Sequence, residues 1–179
     1  MKPKLSILCM VLAGAAIWGV ASLPLPAQDN NQSEVQRGLD IAPTPLDLKG
    51  KNRSSVGLGS YYVNSVSDCV GCHNRPSGGH VGGGVDFGGI FSRNLTPDAA
   101  GRPAGLTLSE FIEVMRGGTD FKGIPPNPPG NKLIIMPWEA YRHGTDRYVE
   151  SIYEYLRSIP CIPGVAGIAA TGSVSRCAP

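Results

Sequence analysis

The segment Cys69-Val70-Gly71-Cys72-His73 constrains this chain more than any other feature of its sequence. Two thiols separated by two residues, with an imidazole directly after the second, form the C-x-x-C-H pattern that attaches c-type haem covalently. Each thiol can add to a vinyl group on one edge of the porphyrin, and the imidazole is carried beneath the ring to its iron. We therefore expect Cys69 and Cys72 to bind one haem c covalently and His73 to coordinate the iron.

The C-x-x-C spacing also occurs in thioredoxin-like redox pairs and in half-sites for zinc. A zinc site needs a second pair of Cys or His ligands, and the spacing of Cys9, Cys161 and Cys177 does not supply one. A thioredoxin-like pair needs a strand before it and a βαβ frame around it, whereas Gly, Asn and Pro crowd the residues after His73. The surrounding sequence therefore favours haem attachment.

The N-terminus has the pattern of a secretory leader. Lys2 and Lys4 precede an uncharged apolar run of nineteen residues, 5–23, and Leu25-Pro26-Ala27 resembles a cleavage site. This pattern predicts a signal peptide over residues 1–27 and a periplasmic protein, which agrees with haem attachment outside the cytoplasm. The run is also long enough to cross a bilayer, so an uncleaved N-terminal membrane anchor stays open as an alternative.

The remaining chain alternates short helical patterns with loops. Residues 28–52 are polar with little apolar periodicity, and we interpret them as a linker or extended arm. A helical face over residues 56–66 predicts a first helix that leads into the haem motif. A capping box at residues 107–110 starts a second helix, and apolar residues on one face predict a last helix over residues 145–159.

Two further features concern packing around the cofactor. We expect the last helix to pack on the first, where Gly57 and Gly59 would permit close approach. The glycine-rich segment 80–89 would let the backbone approach a flat cofactor closely. The apolar cover is expected from Phe87, Ile90, Phe91 and Leu95.

Cys161 and Cys177 are left over once the leader and the haem motif are set aside. In an oxidising periplasm, two thiols joined by a stretch rich in Gly, Ala and Ser are expected to form a disulfide that closes a C-terminal tail, residues 161–179. Two free thiols are the alternative. Such a loop would stabilise the fold by about 3 kcal/mol, by restricting the unfolded chain.

Four separated pieces of sequence carry a resemblance to a known family. They are Gly59-Ser60-Tyr61-Tyr62-Val63 leading to the haem motif, Ser92-Arg93-Asn94-Leu95-Thr96-Pro97-Asp98, Met136-Pro137-Trp138, and Ile152-Tyr153-Glu154-Tyr155-Leu156-Arg157-Ser158-Ile159-Pro160. The chain resembles a class I c-type cytochrome over residues 53–160, and it is similar to the single-haem periplasmic domains of bacterial dehydrogenase-associated cytochromes. The resemblance implies an all-α, cytochrome c-like fold, with several short helices and long loops wrapped round one covalently attached haem.

The resemblance implies Met136 as the second iron ligand, in a rigid loop before the last helix. Ligation by Met and His suits an electron carrier and raises its reduction potential. Three other residues remain as candidates. His80 and His143 would give bis-imidazole ligation, whereas Met115 lies at a core-like position of a predicted helix, where a Met is more often packing. The expected metal ligands are thus His73 and Met136.

Other residues are expected to support the site. His73 should donate its second ring N–H to a backbone carbonyl, and Pro76 or a near neighbour is the expected acceptor. Residues placed to reach the haem propionates or the methionine sulfur, or else to serve as surface or capping residues, are Arg93, Asn94, Thr96, Trp138 and Tyr141.

An iron closed by His73 and Met136 leaves no position for a substrate. The expected function is therefore single-electron transfer between a donor dehydrogenase and a downstream oxidase or cytochrome, and not bond-making catalysis. The alternatives are a haem subunit fixed in a dehydrogenase complex, and a haem enzyme or gas sensor with an open distal face. No nucleic-acid partner is expected, because the 16 basic and 14 acidic residues balance once Lys2 and Lys4 leave with the signal.

Overall fold

The structure is a computed structural model that describes residues 30–123, 127–173 and 175–177. Within these ranges the chain is helical and contains isolated β-bridges but no sheet, as expected. None of the helices in these ranges is long and apolar enough to span a bilayer. The predicted signal peptide, residues 1–27, lies outside the described residues. The α-helices are α1 Asn30–Ile41, α2 Arg53–Tyr61, α3 Cys69–His73, α4 Leu108–Gly117 and α5 Asp146–Leu156.

Helix α2 confirms the helix that was predicted before the haem motif. Asn52 caps its first turn, because the Asn52 side chain accepts hydrogen bonds from the backbone N–H groups of Ser54 and Ser55. The helix continues as a π-helical turn over Tyr62–Val66. Val56 and Val63 are fully buried in the core. The end of this turn leads directly to Cys69.

The interpretation of residues 28–52 as a linker or extended arm is wrong for Asn30–Ile41. Residues Asn30–Ile41 form α1, which packs against α2. The two helices cross at Gly38 and Gly57, where a Cβ on either glycine would overlap backbone atoms of the other helix. The hydroxyl of Ser60 also donates to the carbonyl of Gly38 at 2.6 Å. Tertiary packing therefore orders a segment whose own apolar pattern is weak.

Gly57 and Gly59 contact different helices. A Cβ on Gly59 would overlap the carbonyl of Ser151 on α5, whereas a Cβ on Gly57 would overlap the carbonyl of Val35 on α1. Residues two apart point in roughly opposite directions, because a helix turns about 100° per residue. The prediction that α5 packs closely on α2 is confirmed at Gly59 and is wrong for Gly57. Helix α2 thus lies between α1 and α5.

Helices α4 and α5 start where the sequence predicts. The capping box of α4 is formed, with the Thr107 hydroxyl accepting from the Glu110 N–H and the Glu110 carboxylate accepting from the Thr107 N–H. Gly118 ends α4 in the left-handed region, at φ +69°. Thr145 caps α5, which ends at Leu156, three residues before the predicted end. The buried face of α5 centres on Ile152, Tyr155 and Leu156.

The C-terminal tail is closed by a disulfide between Cys161 and Cys177, as predicted. The tail packs against residues 94–96. The side-chain amide of Asn94 donates to the carbonyl of Ile162 at 2.8 Å, and the guanidinium of Arg176 donates to the carbonyls of Asn94 and Thr96. The tail therefore supports the segment that follows Arg93.

Candidate haem site

The haem motif occupies the short helix α3, which runs from Cys69 to His73. Cys72 and His73 follow Cys69 by three and four residues, so the three side chains share one face of the helical turn. All three line one cavity. Neither thiol is in a disulfide, and both are partly buried. Burial raises the pKa of the Cys69 thiol to about 12.

His73 is oriented by a backbone carbonyl, as expected, but the acceptor is not Pro76. Its Nδ1 lies 2.7 Å from the carbonyl oxygen of Arg93. Burial lowers the pKa of His73 below the usual 6.5, although the bond to Arg93 acts in the opposite direction. A neutral ring that donates from Nδ1 keeps the lone pair of Nε2 free for a metal.

The cavity is lined mainly by apolar side chains. The four residues of the predicted apolar cover, Phe87, Ile90, Phe91 and Leu95, all contribute to it. Leu106, Phe111 and Val114 from the α4 side, and Ile152 and Leu156 from α5, complete much of the wall. An apolar wall of this kind excludes water and favours a flat, largely hydrophobic cofactor.

Met136 lines the same cavity as the haem motif, and so does Met115. They differ in setting. Met115 is on α4 and only 4% exposed, within the main core cluster. Met136 is partly buried in the segment between α4 and α5, directly before the 3-10 turn Trp138–Ala140. Met136 therefore lies in a non-helical segment at the cavity wall, whereas Met115 is part of the packed core.

The two other histidines are placed elsewhere. His80 Nε2 lies 2.9 Å from the hydroxyl of Tyr155, which also accepts a hydrogen bond from Asn64 at 3.1 Å. His143 is exposed on the segment before α5. The described lining of the cavity contains neither residue. The arrangement of side chains therefore favours a methionine over either histidine opposite His73.

The residues proposed to reach propionates or sulfur divide into two groups. Arg93 and Tyr141 line the cavity. Asn94 and Thr96 instead bond to the C-terminal tail, and the Thr96 hydroxyl accepts from the Ile162 N–H at 3.0 Å. Trp138 covers the end of α4, because a Cβ on Gly118 would overlap its ring. Asn94, Thr96 and Trp138 are therefore structural supports outside the described lining.

Tyr141 fixes the start of the haem motif. Its hydroxyl donates to the backbone carbonyl of Ser67 at 2.8 Å, and the Ser67 hydroxyl lies 2.7 Å from the hydroxyl of Tyr148. Burial raises the pKa of Tyr141 to about 12, so the phenol remains a donor. Tyr141 thus connects the turn before Cys69 to the segment before α5, and Tyr148 connects the same turn to α5 itself.

Part of the cavity lining is polar, and its central residue, Asp120, was not predicted from the sequence. Asp120, only 3% exposed, forms an ion pair with the Arg93 guanidinium. Thr119, Lys122 and Asn127 also belong to this part of the lining. No motif marks Asp120, because its importance comes from a partner 27 residues earlier in the chain.

The donors present fit a covalently attached haem. One face supplies two free thiols and an imidazole with Nε2 available, and the same apolar cavity contains a thioether. The zinc alternative fits less well, because the described residues contain no group of three or more His, Cys, Asp or Glu side chains that could hold a metal.

Comparison with known proteins gives several relatives of one kind. The chain is 32% identical over 125 residues to the fructose dehydrogenase cytochrome subunit of Gluconobacter japonicus, covering 67% of this chain and 24% of the relative. It is 31% identical over 119 residues to the cytochrome c subunit of the quinone alcohol dehydrogenase of Gluconacetobacter polyoxogenes, covering 64% and 24%.

A third relative is the gluconate 2-dehydrogenase cytochrome c subunit of Pantoea cypripedii, 28% identical over 112 residues, with 60% of this chain and 23% of the relative covered. The chain thus spans about a quarter of the length of these curated relatives. No protein-family model matches the chain. No solved structure matches it significantly.

Proposed function

Because the chain is homologous to the cytochrome c subunits of bacterial dehydrogenases, we propose that it is a monohaem, periplasmic electron-transfer subunit of such a complex. The observation that carries the proposal is the cavity in which Cys69, Cys72, His73 and Met136 meet. Among the functions expected from the sequence, the relatives favour the subunit of a complex over a freely diffusing carrier, because each of them is named as a subunit.

Each proposed site residue has a distinct role. The thiols of Cys69 and Cys72 would hold the porphyrin through thioether bonds. The imidazole of His73, whose Nδ1 is held by the Arg93 carbonyl, would hold the iron through Nε2. The thioether of Met136 would be the second iron ligand, so a bound haem would have no position for a substrate. When bound, haem c supplies reversible one-electron chemistry at its iron.

The apolar wall tunes this chemistry. Side chains such as Phe91, Leu95 and Leu106 keep water away from the cofactor, which helps to raise the reduction potential and limits solvent rearrangement around it.

Four apolar residues that line the cavity are also 37–55% exposed, which places them at its mouth: Phe87, Phe121, Ile134 and Ile135. We propose that this rim contacts the electron donor, since exposed apolar patches often mark protein interfaces.

Absorbance tests the ligand set. The full chain is produced in a host with a cytochrome c maturation system, and the oxidised protein is examined for the near-infrared sulfur-to-iron band. The proposal predicts this band and slow binding of carbon monoxide to the reduced protein. Rapid binding of carbon monoxide by the native reduced protein would instead support a haem enzyme or gas sensor with an open distal face.

Purification from the native bacterium tests the subunit role. A tagged chain is extracted from membranes and periplasm under mild conditions, and its haem absorbance is followed through size-exclusion chromatography. The proposal predicts elution at the size of a complex, together with dehydrogenase activity and reduction of the haem by that enzyme's substrate. Quantitative elution as a monomer, without dehydrogenase activity, would contradict the subunit role.

A further inference from the structure

Asp120 connects both ends of the loop that leads to Met136. Its carboxylate accepts hydrogen bonds from the backbone N–H groups of Lys122 and Gly123 and from the side-chain amide of Asn127. Its own backbone N–H donates to the carbonyl of Asn131 at 2.7 Å, and its carbonyl accepts from the Gly130 N–H at 2.7 Å. The described parts of this loop, residues 120–123 and 127–131, are therefore held together by one buried acidic residue.

The part of this loop that is held by backbone hydrogen bonds ends at Leu133, close to Met136. The Leu133 N–H donates to the carbonyl of Gly118 at 2.7 Å, and Thr119 pairs with Lys132 in an isolated bridge. Only Ile134 and Ile135 separate Leu133 from Met136. Both isoleucines are exposed, at 55% and 44%. The hydrogen bonds at the base of the loop therefore help to set the position of Met136, together with its own packing against the core cluster.

Arg93 contacts both sides of the site. Its carbonyl accepts from His73 Nδ1, and its guanidinium pairs with the Asp120 carboxylate. The Arg93 side chain is 18% exposed and that of Asp120 is 4% exposed, so the pair is largely removed from water. Removing one member of such a pair leaves an uncompensated buried charge, which is strongly unfavourable.

Resting on the proposed function, we propose that the Arg93–Asp120 ion pair is a clasp that positions the Met136 loop relative to His73. The backbone carbonyl of Arg93 orients the imidazole of His73, and the side chain of Arg93 holds the loop that leads to Met136. The pair acts through Met136, so both members are positioning residues. Loss of the Arg93–Asp120 ion pair releases the Met136 loop. The thioether links and the contact between His73 and the Arg93 carbonyl stay in place.

Two substitutions test the clasp in the full-length holoprotein. Asp120→Asn keeps the shape of the side chain but removes its charge, and Arg93→Gln removes the guanidinium while keeping the carbonyl that holds His73. Both variants are expected to retain covalent haem, to weaken the near-infrared band, and to bind carbon monoxide about tenfold faster after reduction, as loss of a charged hydrogen bond predicts. Their reduction potentials should fall as the sulfur ligand is lost.

Asp98→Asn is the matched control. Asp98 also pairs with an arginine, Arg102, and accepts from backbone N–H groups, but it lies in a loop that does not lead to Met136. It should keep the wild-type band and carbon monoxide rate. Arg93→Lys keeps a positive charge and should retain part of the near-infrared band that Arg93→Gln loses. If Arg93 acted only by filling space, the charge of the residue that replaces it would make no difference to the band.

The outcomes separate the clasp from the function on which it rests. A wild-type protein without the near-infrared band, with rapid carbon monoxide binding, overturns Met136 ligation and the clasp together. A wild-type protein with the band, and Asp120→Asn and Arg93→Gln variants that keep it unchanged, overturns the clasp alone. If Asp120→Asn does not accumulate as folded holoprotein, Arg93→Gln decides the question by the same two readouts, because the other donors to Asp120 remain.

Discussion

The Nδ1 atom of His73 lies 2.7 Å from the carbonyl oxygen of Arg93, twenty residues further along the chain. This contact spans the glycine-rich loop and determines which imidazole nitrogen remains free. The carbonyl belongs to a segment that the C-terminal tail supports through Asn94 and Thr96. The orientation of the proposed iron ligand therefore depends on residues near the end of the sequence.

Replacing Met136 distinguishes it from the second methionine in the cavity. Met136→Leu should keep covalent haem but open the iron to carbon monoxide and lower the reduction potential, because a thioether ligand is lost. Met115→Leu is the control, since a Met-to-Leu exchange in a packed core usually costs less than about 1.5 kcal/mol. Potentiometric titration of both variants measures the effect. If the reduction potential is unchanged in Met136→Leu and lowered in Met115→Leu, then Met115 is the iron ligand and Met136 is a packing residue.

The contact between α2 and α5 should not tolerate a methyl group. Gly59→Ala places a Cβ against the carbonyl of Ser151 and should lower the free energy of unfolding by about 1–3 kcal/mol. Gly117→Ala is the control, because there the atoms nearest to the added Cβ belong to the carboxylate of Glu113, a side chain that can shift, and not to the backbone. Denaturant titration compares the two. Equal stability of both variants would contradict the close helix contact.

The disulfide should stabilise the fold by restricting the unfolded chain. Its two cysteines are 16 residues apart in sequence, and a loop of about that length contributes roughly 3 kcal/mol in the chain-entropy account. Replacing Cys161 and Cys177 together by Ser should lower the free energy of unfolding by about this amount. Wild type measured with a reductant should approach the variant. A reductant-sensitive stability in the Ser variant itself would point to a different cause.

His80 should make the fold sensitive to acid. Burial lowers its pKa below the usual 6.5, so the unfolded chain binds a proton more readily than the folded chain. The stability contributed by neutral His80 is therefore present above about pH 6.5 and is lost as the pH falls towards the folded pKa. His80→Gln should reduce the loss of stability between neutral and acid pH, measured by denaturant titration of the holoprotein.

The exposed His143 provides the control for this measurement. His143→Gln should leave the free energy of unfolding close to that of wild type, because this side chain is exposed. His73 does not contribute in the holoprotein if it is bound to iron. Identical pH profiles for His80→Gln and wild type would show that the contact between His80 and Tyr155 does not govern the acid response.

The parts predicted from sequence are those that depend on neighbouring residues. The capping box at Thr107 and Glu110 is local, and so is the cap of α5 at Thr145. The disulfide followed from compartment and from elimination of the other cysteines. The two caps are short patterns that carry their own physical reason, whereas the disulfide could be predicted because few cysteines were left to pair.

The parts that were missed depend on contacts between distant segments. Helix α1 has a weak apolar face and is ordered by its crossing with α2 at Gly38. Pro76 is near His73 in sequence, but the chain folds back so that Arg93 supplies the carbonyl. Asp120 gains its role from the same Arg93. Such long-range pairing leaves no periodicity or spacing that a single sequence could display.

Haem staining after denaturing electrophoresis tests the central claim, a porphyrin joined to Cys69 and Cys72, most directly. The wild-type chain, produced with an active maturation system, should give a stained band at its own mass, because thioether bonds survive denaturation. Replacing both cysteines by Ala should abolish the stain while the polypeptide remains visible by protein dye. A colourless wild-type chain, or a stained band that persists in the double variant, would contradict the assignment of this site.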